Sequence, residues 1–228
     1  MALYGIGDTH LSLLSNKPLD VFGGAWAGYM DKLTQGLSVL REEDTLVIAG
    51  DISWGMSLEE AEADFAYLNG FPGTKILMKG NHDYWWNTAA KMERFFAEKG
   101  FTTLRILHNN CHWYGDTALC GTRGWFYEEE KPGQSQKVFN RELMRLETSL
   151  KAAGEAGKLC FLHYPPFYTG YRCQPILDLL EQYRVRTCYD GHLHAASHRL
   201  ALQGRQGSVD YRLISADYLQ FQPEKIMG

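Results

Sequence analysis

Short apolar runs alternate with amphipathic segments along most of this chain. The runs at residues 2–7, 45–49, 74–79, 158–162 and 185–189 are dominated by aliphatic and aromatic side chains. Runs of this length, bounded by glycine or polar residues, predict buried β-strands. The segments between them predict helices: in residues 25–41, Leu33 and Leu37 belong to an apolar stripe with three- and four-residue spacing.

Strands and helices alternate through the first hundred residues. Further helices are predicted at residues 57–68, 88–98, 136–153 and 175–182, and Gly100 is well placed to end the second of these. Alternation of strand, helix and strand is typical of parallel strands joined by crossover helices. The sequence therefore predicts an α/β fold, and a length of 228 residues fits one domain spanning residues 1–228.

The middle and the end of the chain depart from this alternation. Residues 103–107, 111–114 and 117–120 predict short strands separated by the turn signals Asn-Asn and Gly-Asp. We expect a meander or a second sheet there. Residues 199–203 and 211–215 predict a closing hairpin, and the charged run around residues 128–130 predicts a solvated loop.

Polar side chains that can bind a metal follow each of the five apolar runs at residues 2–7, 45–49, 74–79, 158–162 and 185–189. They are Asp8 and His10, Asp51, Asn81, His163, and His192 with His194. In open α/β sheets, ligands bind at the carboxyl ends of the strands. Any one of these residues is explained equally well by a polar turn. Carboxylate, amide and imidazole groups gathered from five strand ends, however, are a ligand set for a pair of divalent metals.

Composition and charge narrow the class of protein. Hydrophobic residues make up 45% of the chain and charged residues 22%, as in a globular protein with a sizeable core. A net charge of −4 without a basic cluster makes nucleic acid an unlikely partner. We find no apolar run of membrane-spanning length and no leader pattern. The five cysteines are odd in number and form no CxxC pair, which predicts free thiols and a cytoplasmic location.

The order of the strand-end motifs is more specific than any single motif. Asp8-Thr9-His10, Gly50-Asp51, Gly80-Asn81-His82-Asp83, His163 and Gly191-His192-Leu193-His194 follow one another along the chain. This series resembles the calcineurin-like metallophosphoesterase superfamily over residues 8–194. The resemblance implies a four-layer α/β/β/α sandwich, with two mixed sheets flanked by helices, and an enzyme that hydrolyses phosphate esters.

The resemblance also implies which side chains serve which ion. Asp8, His10, Asp51 and His194 would bind the first ion, and Asp51, Asn81, His163 and His192 the second. Two such ions bind a phosphate and lower the pKa of a bridging water, which makes a hydroxide nucleophile near neutral pH. A ligand set of oxygen and nitrogen accepts manganese, iron, zinc or nickel, so all four metals stay open.

His82 has a different role in the superfamily. It is not a ligand but faces the phosphate, where it donates a hydrogen bond or a proton to the leaving oxygen. Asp83 is expected either to orient His82 or to cap the following helix. The Asp-Arg pair that follows the second motif in protein Ser/Thr phosphatases is missing here, since Gly50-Asp51 continues with Ile52. The resemblance is therefore to small bacterial phosphohydrolases of the superfamily.

Arg123 is a candidate for substrate binding. It follows the predicted strand at residues 117–120 and lies between Gly121 and Gly124, where the backbone can approach a ligand closely. A guanidinium there would bind the remaining phosphate oxygens bidentately. The alternative is a surface arginine that pairs with the acidic residues 128–130.

Three functional hypotheses follow from these residues. The main one is a dimetal phosphoesterase acting on a small ester such as a nucleotide, a nucleotide sugar or a phosphodiester. A nuclease acting on nucleic acid ends is an enzyme alternative, which would require a basic groove. A metal-stabilised interaction scaffold is a non-catalytic alternative, and it is disfavoured because every ligand of the motif series is retained. The sequence leaves the oligomeric state open.

Overall fold

The computed structural model of this protein describes residues 1–14, 23–125 and 132–228. Within these ranges the strands are β1 (Leu3–Ile6), β2 (Thr45–Ile48), β3 (Thr74–Leu77), β4 (Leu104–Ile106), β5 (His112–Tyr114), β6 (Thr117–Thr122), β7 (Gly157–Leu162), β8 (Phe167–Tyr168), β9 (Tyr171–Arg172), β10 (Val185–Asp190), β11 (Gly204–Gln206), β12 (Val209–Leu213) and β13 (Glu224–Met227). The α-helices are α1 (Tyr29–Leu37), α2 (Glu62–Asn69), α3 (Ala89–Lys99), α4 (Pro132–Ala152) and α5 (Gln174–Gln182). No helix within the described ranges is long and apolar enough to cross a membrane.

Two mixed sheets form the centre of the fold. The first has the strand order β13-β1-β2-β3-β4, in which β1 to β4 are parallel and β13 is antiparallel to β1. The second has the order β11-β12-β10-β7-β6-β5, in which the four central strands are parallel and the two edge strands are antiparallel. The prediction of two mixed sheets is confirmed.

Successive side chains along each strand point to opposite faces of its sheet, and this alternation produces the four layers. In β2, Leu46 and Ile48 pack with the helices α1, α2 and α3, while Val47 packs between the two sheets. In β7, Cys160 packs under α4 and α5, while Phe161 lies in the layer between the sheets. Each central strand is therefore covered on both faces, as parallel sheets require. The result is the predicted α/β/β/α sandwich.

Several predicted elements differ from the observed ones. Residues 103–107 do not join the second sheet, because the crossover helix α3 returns the chain to the first sheet, where β4 pairs with β3. The helix predicted at residues 25–41 is shortened to α1, since Gly28 before it adopts a left-handed conformation with φ of 63°. The charged run at residues 128–130 lies outside the described residues.

The predicted closing hairpin is partly wrong. Residues Ala195–Leu200 form a 3-10 helix, and the strand that pairs with β12 is β11. The carboxylate of Asp217 accepts the backbone N–H of Ala195 at 2.9 Å, which folds this segment back instead of extending it. The pairing of β13 with β1 was not predicted.

The layer between the sheets gives a direct test of the packing. Phe161 is fully buried there, and its ring stacks on Tyr189 with centroids 5.1 Å apart. We expect Phe161→Ala to lower the free energy of unfolding by about 3–5 kcal/mol, because it leaves a cavity between two rigid sheets. The measurement is urea denaturation followed by circular dichroism.

The control for this substitution is Trp113→Ala. Trp113 lies on β5 and is 54% exposed, so its loss should change the unfolding free energy by about 0.5 kcal/mol or less. Equal losses in both variants would contradict the assignment of Phe161 to the main inter-sheet core.

Candidate metal centre

The carboxyl ends of the central strands from both sheets meet at one edge of the sandwich. Backbone hydrogen bonds join the loops that follow these strands: the N–H of Asp8 donates to Gly50 O at 2.9 Å, and the N–H of Gly191 donates to His163 O at 3.1 Å. Gly7 crosses between the sheets by donating to Ile214 O at 2.7 Å. Backbone pairing therefore joins the first motif to the second and the fourth motif to the fifth, and it links the two sheets at this edge.

Four of the predicted ligands have an unusual backbone conformation. Asp8, His10, Asp51 and His192 have φ angles of 59°, 44°, 50° and 69°. Residues other than glycine rarely adopt this left-handed region, and they do so where the surrounding structure forces it, which is common at functional sites. The fold thus accepts local strain at the residues that were singled out as ligands.

Two glycines let the backbone approach the carboxylates closely. A Cβ atom at Gly80 would clash with Asp51 Oδ1, and one at Gly191 would clash with Asp8 Oδ2. Any larger residue would displace the carboxylate. These contacts explain why the third and fifth motifs begin with glycine.

The predicted ligands form two groups. Asp8, His10 and His194 make one, and Asp51, His163 and His192 make the other, with the ligand atoms of each group within 4.8 Å of one another. This division agrees with the one that the resemblance implies. Asn81 joins the second group, since its Oδ1 lies 2.7 Å from His163 Nε2. All seven side chains are thus brought together, and their role as ligands stays a prediction.

Asp51 lies where the two groups meet. Its Oδ2 is 3.7 Å from His10 Nε2 in the first group and 3.5 Å from His163 Nε2 in the second. His163 Nδ1 lies 3.2 Å from the carbonyl oxygen of Ala49, an acceptor that favours a proton on Nδ1 and leaves Nε2 to bind a metal. A carboxylate in this position can serve both ions.

The electrostatics of the site call for cations. Asp8 and Asp51 are both buried, and burial together with the charge of Asp8 raises the pKa of Asp51 to about 8. Burial would also raise the pKa of Asp8, but the neighbouring imidazolium of His194 outweighs it and holds that pKa low. Two carboxylates in one buried site therefore need positive charge beside them.

The imidazoles of the site suit metal binding. Burial lowers the pKa values of His10, His163 and His192, the last to about 3, so these rings are neutral, which is the form that binds metals. His194 is the exception: burial opposes its charge, but Asp8 outweighs burial and raises the pKa to about 10. A metal ion beside Asp8 would take the place of the proton on His194 Nε2, and with that exchange the donor set fits a pair of divalent ions.

Asp83 holds two of the motifs together. Its buried carboxylate accepts the backbone N–H groups of Gly80 at 2.7 Å, Asp51 at 2.9 Å and Ile52 at 2.8 Å. The prediction that it caps the following helix is wrong, because Thr88 occupies that position. Spacing alone could not reveal this role, since it depends on contacts with the loop after β2, more than thirty residues earlier in the chain.

Asp217 contacts the ligand cluster, and the sequence motifs did not identify it. Its carboxylate accepts hydrogen bonds from His194 Nδ1 at 3.0 Å, His198 Nε2 at 3.1 Å and the backbone N–H of Ala195 at 2.9 Å. This fixes the tautomer of His194 and turns its Nε2 towards Asp8, 3.5 Å away. A signal was available, because Asp217 follows a predicted strand in the same way as the other motifs.

His82 and Arg123 border the ligand cluster. The backbone N–H of His82 donates to Asp51 Oδ1 at 2.7 Å, and its ring lies 4.6 Å from that of Trp54. The carbonyl of Arg123 accepts the N–H of His163 at 3.1 Å, while its guanidinium lies 3.5 Å from Glu142. The acidic residues proposed as the alternative partner of Arg123 lie outside the described residues.

A protein family and several solved structures are similar to this chain. The family model for calcineurin-like phosphoesterases matches residues 1–196. No curated protein matches the sequence. Among solved structures, the chain is similar to a phosphopantetheinyl hydrolase from Mycobacterium tuberculosis, with a TM-score of 0.59, 13% identity, and coverage of 99% of this chain and 95% of the other. It is also similar to a protein of unknown function from Aquifex aeolicus, with a TM-score of 0.51, 16% identity, and coverage of 98% and 95%. These two likenesses concern the fold.

The contact between Asp217 and His194 leads to a testable expectation. Asp217→Asn keeps the size of the side chain but removes the charge that orients His194. We expect metal affinity at this site to fall about 10- to 100-fold. The measurement is metal content by mass spectrometry after dialysis against buffered metal.

The matched control is Asp210→Asn, which removes a carboxylate that pairs with Arg212 at 2.9 Å away from the ligand cluster. Metal content should be unchanged in this variant. Equal metal affinity in Asp217→Asn and the natural protein would show that Asp217 serves only to fold the segment.

Proposed function

Since this chain belongs to the calcineurin-like phosphoesterase family, we propose that it hydrolyses a small phosphate ester with the help of two divalent metal ions. Asp8, His10, Asp51 and His194 would hold one ion, and Asp51, Asn81, His163 and His192 the other. The observation that carries the proposal is the position of Asp51 Oδ2, which lies within 3.7 Å of a histidine nitrogen of each group.

Each group of residues has a defined task in this proposal. Bound divalent ions supply Lewis acidity towards the phosphate and a water of lowered pKa. The protein supplies rigid placement: Asp83 and the glycines at positions 80 and 191 hold the carboxylates where they cannot move apart. The neutral imidazoles of His10, His163 and His192 add no charge that would oppose metal binding.

His82 is proposed as the general acid. Its backbone is fixed on Asp51, so its ring stands beside the ligand cluster without belonging to either group. The packing of that ring on Trp54 limits its motion. An imidazole so placed can donate a proton to the oxygen of the leaving group near neutral pH.

The substrate is proposed to be a nucleotide, a nucleotide sugar or another small ester. Two divalent ions exceed the charge of Asp8 and Asp51, so the loaded site attracts an anion although the protein as a whole carries a charge of −4. Manganese, iron, zinc and nickel all suit the oxygen and nitrogen ligands.

The cysteines support a reducing compartment. All five are free, and four of them are buried. Burial raises the pKa of Cys120 to about 12 and that of Cys188 well above its usual range, which makes these thiols inert. We therefore propose a cytoplasmic location.

Metal dependence tests the proposal directly. Removal of metal by a chelator should abolish release of phosphate from an aryl phosphate ester, and addition of manganese, iron, zinc or nickel should restore it. Asp51→Asn should reduce turnover to background and lower metal content, because the substitution removes the carboxylate shared by both groups.

Asp31→Asn, on the exposed surface of α1, is the control and should behave like the natural protein. Near-normal turnover by Asp51→Asn, or by the metal-free protein, would exclude the dimetal proposal.

His82→Ala separates the general acid from the ligands. We expect the rate to fall by roughly 10²–10⁴ while both metals are retained. The loss should be smaller for esters whose leaving group is already a weak base, since these need no proton. Turnover numbers for a series of aryl and alkyl phosphates, together with metal content, provide the measurement. Loss of metal in this variant would identify His82 as a ligand instead.

A further inference from the structure

A second group of charged side chains lies at the same edge of the sandwich as the metal centre. Lys79, Arg123 and Arg145 line a small cavity together with Glu142 and His108. Lys79 comes from the end of β3, Arg123 from the end of β6 and Arg145 from α4. We refer to Lys79, Arg123 and Arg145 as the basic cluster.

The positive charge of the basic cluster exceeds the negative charge of Glu142, which lines the same cavity. Glu142 is 2% exposed, and its carboxylate already has two close contacts. Arg145 Nη1 donates to Oε1 at 2.6 Å, and Thr122 Oγ1 donates to Oε2 at 2.9 Å. Three cationic groups line the cavity with this one carboxylate, and Asp83 adds a second negative charge near Lys79, so the local charge is still positive.

Arg123 has a donor group that can form a further hydrogen bond. Its contact with Glu142 Oε1 is long, at 3.5 Å, because Arg145 occupies that oxygen more closely. Its Nε is buried and has no hydrogen-bond partner among the described residues. A buried donor in this condition calls for a ligand or a water, because leaving it unsatisfied costs free energy.

The basic cluster adjoins the second group of metal-site residues. Lys79 precedes Gly80 and Asn81 in the chain. The carbonyl of Arg123 accepts the N–H groups of His163 at 3.1 Å and Tyr164 at 2.8 Å. A substrate held at the metal centre can therefore extend towards Lys79 and Arg123 along the same edge of the sandwich.

We infer that the basic cluster binds a second phosphate group of the substrate while the metal centre holds the phosphate that is cleaved. Guanidinium groups bind phosphate through paired hydrogen bonds, and two of the three cations are arginines. The cavity is small, so it receives an anionic group at its mouth and not a base or a sugar. The inference rests on the proposed function and narrows its substrate class to small molecules with two phosphate groups.

A purely structural role is the competing explanation. In that case the contacts among Arg145, Glu142 and Thr122 would only anchor α4 to β6. A second phosphate group on the ligand would then not increase its affinity for the protein. The two explanations differ in the binding of ligands that carry one or two anionic groups.

The experiment uses non-hydrolysable phosphonates as inhibitors of aryl phosphate turnover by the metal-loaded protein. Alkane diphosphonates of increasing chain length are compared with alkyl monophosphonates of the same length. We expect the diphosphonate of the best length to inhibit at least about tenfold more strongly than the monophosphonate of the same length. One additional charge-assisted hydrogen bond is enough for a difference of this size. No advantage at any length would overturn the inference.

Arg123→Gln should abolish this advantage, because Arg123 carries the buried donor that lacks a partner in the described part of the chain. Arg145→Gln should reduce the advantage, and Arg145→Lys should keep part of what is lost, because lysine retains the charge. Arg141→Gln is the matched control, since Arg141 is exposed on the same helix one turn earlier. If Arg123→Gln and Arg145→Gln both folded normally and retained the full advantage, the basic cluster would be structural. If both variants fail to fold, the comparison of the two phosphonate series on the natural protein decides alone.

If the proposed phosphoesterase function is wrong, the natural protein will not turn over aryl phosphate, and this result is distinct from a failure of the two-phosphate inference. Binding of the same phosphonates would then be measured by titration calorimetry, and equal affinity for both series would again overturn the inference.

Discussion

Two buried carboxylates, Asp8 and Asp51, are the constraint on which the rest of the structure depends. Neither is solvated, so their negative charge must be offset by neighbouring imidazoles or by metal ions. The strained backbone at both residues and the glycine contacts beside them hold the two groups in place. Asp83 adds a third buried carboxylate that bonds to backbone N–H groups around Asp51. Such an arrangement is costly for an isolated fold, and the cations of the proposed function would offset its negative charge.

The hydrophobic layers supply the rigidity that this arrangement needs. Each sheet is packed on a set of helices on one face and on the other sheet on the opposite face. The parallel central strands then deliver their carboxyl ends to one edge, where loops of both sheets exchange backbone hydrogen bonds. The geometry of the site is therefore a property of the whole sandwich, and single loops do not determine it.

Much of the fold and of the site could be predicted from the sequence. Strand-end motifs such as Gly80-Asn81-His82-Asp83 carry their signal locally, because an apolar run, a glycine and a polar side chain are adjacent in the chain. The layer architecture followed from the resemblance that these motifs support. Asp83 and Glu142 could not be assigned from spacing, since their partners come from strands or loops distant in sequence. The 3-10 helix at Ala195–Leu200 was missed for the same reason, as its conformation depends on Asp217.

The last strand has a consequence for how the protein reaches its native state. β13 pairs with β1, so the first and last strands of the chain are neighbours in one sheet, with Leu3 opposite Met227. Such contacts between distant residues close slowly, because the entropy of a long loop is lost before any pairing energy is gained. Asp217, which orients His194, lies in the same late segment. During synthesis on the ribosome, the N-terminal strands emerge well before the residues that complete the first sheet and fix this histidine. The ligand cluster is therefore complete only once the segment with Asp217 and β13 has been synthesised and packed, which makes its assembly an expected late event in folding.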